Sequence, residues 1–135
     1  MSYTVINDEL NAQLTNVSNI PTFTTENISK RRTNALEAFA TAKLVPVNNQ
    51  PFGSGTVFVR EVSGNYRIDL FYPADTGTID ANDDADNIVD FFRPGTIFTA
   101  SNINIHIRTS QRDEGFVEDG KWFRVPVFVD WFAYV

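Results

Sequence analysis

No cysteine occurs in the 135 residues, so neither a disulfide framework nor a thiolate metal site is available. That absence suits a reducing cytoplasm. Histidine is nearly as scarce: His106 stands alone, too few imidazoles for a histidine-based zinc site. Long apolar runs are missing, and none approaches the roughly 20 residues of a membrane-crossing helix. Residues 1–9 are polar and acidic, without the basic-then-apolar order of a secretory leader. Basic charge is short too, with 11 Lys and Arg against 17 Asp and Glu for a net charge of −6. A broad nucleic-acid face needs clustered Lys and Arg, which this balance argues against.

Aromatic residues are abundant by contrast, with 12 Phe, 4 Tyr and 2 Trp. A chain of this length is expected to form one domain, residues 1–135, that buries roughly two-thirds of its unfolded surface. The aromatic surplus over what one small core holds points to a protein–protein interface.

The organising stretch is 66–95. Tyr66, Ile68, Leu70 and Tyr72 alternate with Arg67, Asp69 and Phe71, the period of a half-buried strand that Pro73 ends. Residues 74–78 read as a tight loop. From about Ile79 the period becomes helical, with Ala81, Ala85, Ile88 and Phe92 on one stripe, and Arg93-Pro94-Gly95 stops the helix. Ahead of this unit, 2–17 reads as an amphipathic helix built on Tyr3, Ile6, Leu10, Leu14 and Val17. Residues 20–28 read as a short strand, 29–36 as an exposed basic loop, 37–47 as a strand, and 48–55 as a loop rich in turn formers. Between Thr56 and Tyr72 two readings compete, a hairpin turning at 63–65 or one long strand bulged at Gly64, the second being favoured.

After the helix, strands at 96–99 and 103–108 flank a turn at 100–102. Residues 110–121 read as a charged loop, and 122–135 as a last strand. One face of that strand is wholly apolar, from Phe123 through Val125, Val127, Val129, Trp131 and Ala133 to Val135. The other is mixed, with Phe128, Phe132 and Tyr134 among polar residues. These three lie under a helix if the sheet is covered on both sides, and otherwise form a patch for association. The expected architecture is α+β, a mainly antiparallel sheet with the amino-terminal helix and the 79–92 helix packed on it.

Chemistry-bearing motifs are weak. An EF-hand register starting at Asp80 places Asn82, Asp84 and Asp86 as ligands, but puts Ala85 where Gly is needed and Phe91 where the bidentate Glu belongs. An acidic helix start, favourable to the helix dipole, explains the run better. His106 has no nucleophile elbow to serve and reads as an exposed or interface residue. Gly53-Ser54-Gly55 lacks the Lys and the following helix of a phosphate loop. Lys30-Arg31-Arg32 reads as a solvated loop, and the sequons at Asn16 and Asn27 matter only in a secreted protein.

The strand 66–73 (YRIDLFYP), the loop 74–78 (ADTGT), the helix 85–92 (ADNIVDFF) and the segment 118–127 (EDGKWFRVPV) together resemble the phage tail terminator-like proteins. The amino-terminal helix followed by 21–27 (PTFTTEN) is also similar, while 28–43 departs from that pattern. The resemblance implies a structural virion protein of the tail or neck, assembled in the bacterial cytoplasm. It implies a homo-oligomeric ring, typically a hexamer, that caps the tail tube, stops its polymerisation and offers the head-joining surface. Implied partners are copies of itself, the major tail tube protein, a head-completion or connector protein, and DNA in passing; no cofactor or catalytic residue comes with the resemblance. Phe128, Phe132, Tyr134, Arg112 and Lys121 are then the expected subunit contacts. Asp80, Asp83, Asp84 and Asp86 are candidates for an acidic channel lining. A neck adaptor is the alternative function, and a small calcium-binding or enzymatic domain using residues 80–86 a remote one.

Overall fold

The computed structural model describes residues 2–17, 23–25, 39–52, 59–74, 79–118, 120 and 122–134. Along the chain run α1 (Ser2–Leu14), β1 (Phe23–Thr25), β2 (Phe39–Phe52), β3 (Val59–Pro73), α2 (Ile79–Phe91), β4 (Ile97–Ala100), β5 (Ile103–Arg112), β6 (Phe116–Glu118) and β7 (Trp122–Tyr134). The strands form one sheet in the order β1-β2-β3-β7-β5-β4, with β6 pairing β7 beyond the end of β5. β1 runs parallel to β2, and every other pairing is antiparallel. The fold is α+β, as the sequence patterning indicates.

Both helices cover the same face. Ile6, Leu10 and Leu14 of α1 and Ala81, Ala85 and Ile88 of α2 join Ile68, Leu70, Val125, Val127 and Val129 in one buried cluster. The 3.6-residue and 2-residue periods in the sequence are thus the two sides of one contact. Each helix is also tied to β3 by a tyrosine from that face. Tyr66 donates to Oδ1 of Asn11 on α1 at 2.5 Å, and the Tyr72 hydroxyl donates to Asp84 on α2. Burial pushes the Tyr66 phenol well above its ordinary pKa. Beyond α2, Phe92 is fully buried against Tyr66 and Phe98, and its N–H still bonds the Ile88 carbonyl. The chain then turns at Gly95, whose φ is 90°.

Several sequence expectations change. The turn formers 48–52 do not make a loop: they continue β2 and pair with residues 59–63 of β3. Past Ala42 no β1 partner remains, so Pro46 and Pro51 stand on a stretch where β2 has β3 on one side only among the described residues. β3 is the long strand rather than a hairpin at 63–65, but the bulge lies opposite Gly64, at Val47 of β2. Gly64 itself is the point of close approach. A Cβ there would strike the Val45 carbonyl oxygen and stand 3.1 Å from the Trp131 ring.

β5 runs four residues beyond its expected end, through a second bulge at Arg108, and β6 occupies part of the expected 110–121 loop. The β4–β5 connection is the two-residue turn Ser101-Asn102, both at positive φ, which matches the twist of a hairpin. The basic run 30–32, the Gly53–Gly55 motif and the sequon at Asn27 lie outside the described residues.

Candidate interaction face

The sheet has a second face, and neither helix lies on it. Alternate residues of β3, β7 and β5 point there in register: Phe71 opposite Arg124, Asp69 opposite Pro126, Arg67 opposite Phe128, and His106 opposite Phe132. At the β6 end this outer face is closed. Phe71 and Trp122 are buried edge to face at 6.5 Å, and Arg124 stands over Phe71 at 5.2 Å. Asp69, 7% exposed, receives Arg124 Nη2 at 3.2 Å and Arg67 Nε at 3.1 Å, so its desolvated charge is met from both sides.

The opposite end is open. His106 stacks on Phe132 at 4.8 Å with 9° between the planes, and Arg108 covers the Phe132 ring at 4.6 Å. Tyr134 sets its edge against both rings and is 38% exposed. Phe128, half-buried, carries Arg67 at 5.4 Å. The β5 bulge explains Arg108. Ile107 pairs with Trp131 and Thr109 with Asp130, so Arg108 is the extra residue and leans onto Phe132. Beside it a cleft of about 210 Å³ opens, lined by Val47, Asn65, Arg108 and Asp130. Thr109 Oγ1 donates to Asp130 at 2.9 Å, and the buried Trp131 indole N–H has no acceptor among the described residues.

Of the residues singled out from the sequence, Phe128, Phe132 and Tyr134 stand together on this face. Arg112 does not join them. The bulge turns it to the helix side, where it bonds Asp86 at 2.6 Å and Asn82 at 3.3 Å. The side chains of Lys121 and Asp80 lie outside the described set. Asp84 accepts from Tyr72 and Asp86 from Arg112, while Asp83 is exposed on α2. Among the described residues no group of three or more His, Cys, Asp or Glu could hold a metal ion. No helix among them is long and apolar enough to cross a membrane. Alternation with Ile105 and Ile107 puts Arg108 on the face of His106, but its stacking with Phe132 escapes sequence reading, because it depends on how β5 pairs with β7.

Stacked aromatics under guanidinium groups, with a buried centre and a wet margin, have the composition of a recognition surface. A family model described as phage tail terminator protein matches residues 5–131. A solved structure shares the fold with a TM-score of 0.75 at 16% identity, over 98% of this chain and 96% of that one. No curated protein matches the chain.

Proposed function

The chain belongs to the phage tail terminator family, and from that premise we propose that it closes into a ring on the end of the tail tube. The ring stops polymerisation of the tube and presents the surface to which the head joins. The observation that carries the reading is the open end of the outer face, where His106, Arg108, Phe132 and Tyr134 form an aromatic and cationic patch covered by neither α1 nor α2. A subunit with one sheet face spent on its core and one end of the other still exposed is suited to packing against copies of itself. The chain acts as one structural domain of the virion, assembled in the bacterial cytoplasm, and its contacts are with its own copies, the tube protein and the head connector.

Deleting the gene tests this. Tails longer than normal and unjoined to heads support the terminator. Tails of normal length beside unstable full heads support a neck adaptor instead. An acidic channel lining draws less support from the geometry. Asp84 and Asp86 are engaged by Tyr72 and Arg112, which leaves Asp83 as the uncommitted aspartate of the four among the described side chains.

A further inference from the structure

Arg108 is exposed, seated on Phe132, and makes no ion pair among the described residues. Arg67, the other guanidinium over a β7 ring, is already bonded to Asp69. An arginine held on an aromatic surface with its N–H groups unspent is suited to a carboxylate brought by a partner.

The same chain presents such carboxylates on its helix side. α2 turns Asp83, Asp86 and Asp90 to solvent at the spacing of one helix face. Asp86 is taken by Arg112, whereas Asp83 and Asp90 have no ion-pair partner among the described residues. Asp90 lies in the last turn, where the helix dipole disfavours an anion and no basic residue offsets it. α2 covers the inner face of the sheet, so this acidic stripe and the Arg108 patch lie on opposite sides of the subunit. A contact joining them is heterologous, the kind that propagates from copy to copy and makes a ring where its rotation closes. Asp83 and Asp90, seven apart on α2, are separated by about 10 Å, a stretch that fits within the roughly 13 Å from Phe128 to Phe132 on β7.

We propose that the outer face around Arg108 and Phe132 docks the exposed side of α2, residues 83–90, of a second copy of this chain. The inference rests on the ring reading and adds to it the two surfaces and their order around the ring.

Two variants break the contact from opposite sides: Arg108→Glu, and Asp83→Lys with Asp90→Lys. Each is expected to keep the wild-type melting temperature within a few degrees and to self-associate roughly tenfold more weakly in sedimentation velocity. The triple variant, Arg108→Glu with both lysine changes, restores opposite charges at every joint and is expected to recover association. If the wild type is monomeric in solution, the same set is read in a phage lacking the gene, by counting head-joined tails of normal length. Separate variants that assemble like wild type overturn the contact and leave the ring reading standing. A triple variant as weak as the separate ones also overturns it, and points to another occupant of the Arg108 face, such as the tube protein. A wild-type chain that neither self-associates nor restores tail length removes the ring reading, and this inference with it.

Discussion

On the helix side of the sheet, β3 and β7 contribute Ile68, Leu70, Val125, Val127 and Val129, all fully buried. On the other side the same two strands contribute Arg67, Phe128 and Phe132, all partly exposed, and Arg108 of β5 joins them. Burial on the first side is mainly aliphatic, with Tyr66, Tyr72 and Trp131 enclosed in it, and its partners are two helices of the same chain. On the second, large rings lie flat under guanidinium groups and the solvent remains. Area removed from water stabilises the first at roughly 25 cal/mol per Å². The second gains only part of that term within the subunit, and its remaining area is available to a neighbour. The difference teaches where each kind of damage should appear: inner-face changes in folding, outer-face changes in assembly.

The largest expected effect tests the inner side. Phe92→Ala empties a fully buried ring site between Tyr66 and Phe98 and should cost about 3–5 kcal/mol in urea unfolding. A loss below about 1 kcal/mol would mean that the core is less tightly filled than its burial indicates. Gly64→Ala comes next. The added Cβ meets the Val45 carbonyl oxygen and the Trp131 ring, so a loss of about 1–3 kcal/mol is expected, with the bulge in β2 unable to relax freely. An NMR amide shift pattern confined to residues 45–47, 63–65 and 131 would locate the strain.

Tyr66→Phe removes one buried hydrogen bond, about 1 kcal/mol at neutral pH, and also alters an alkaline slope. The folded state holds the Tyr66 phenol neutral, its pKa raised by burial. A raised pKa means that the folded chain keeps a proton the unfolded chain gives up. Stability is therefore fully present below about pH 10 and falls as pH rises beyond it. Urea melts at pH 9 and 11 should show a smaller decline for the variant; equal declines would place the alkaline sensitivity elsewhere.

Phe132→Ala crosses to the outer side. It should cost no more than about 1 kcal/mol in folding, the scale of one exposed cation–π contact, while weakening self-association by roughly tenfold. A large folding loss without an association defect would erase the contrast between the faces. Arg112→Ala is expected to be smallest, at about 0.5 kcal/mol or less in thermal unfolding, because Asp86 is 57% exposed and solvent screens the pair.

Where the helix-side pattern runs unbroken, it was legible in the sequence. Tyr66 to Tyr72, the Ala81–Phe92 stripe and the β7 alternation from Val125 to Ala133 name the buried residues of the helix side, because burial on one face enforces a period. The burial of Asp69, Phe71 and Trp122 on the other face does not follow from it. The end of β2 was not legible. Asn48, Asn49 and Pro51 carry turn chemistry in isolation, yet pairing with β3 holds them extended, a case of partner strand over local preference. The outer face was half legible. Phe128, Phe132 and Tyr134 follow from alternation in β7, and alternation of Ile103, Ile105 and Ile107 puts Arg108 on the face of His106. The seat of Arg108 on Phe132 depends on the β5–β7 pairing, and Arg112, read as part of a loop, is carried to the helix side by the bulge.

The extra residue at Arg108 makes one strand answer to two masters. Before it, Ile105 and Ile107 face the core; after it, Ser110 turns inward to bond the Val89 carbonyl of α2 at 2.9 Å and Arg112 to meet Asp86. Loss of the Arg108 codon would leave a regular ladder, Ile107 opposite Trp131 and Thr109 opposite Asp130, with Ser110 and Arg112 still turned inward. The helix would keep both of its polar anchors on β5, and only the stacked patch would lose its guanidinium. The extra residue thus serves the outer face alone: a chain without it would keep the core side of β5 and give up only the contact with Phe132.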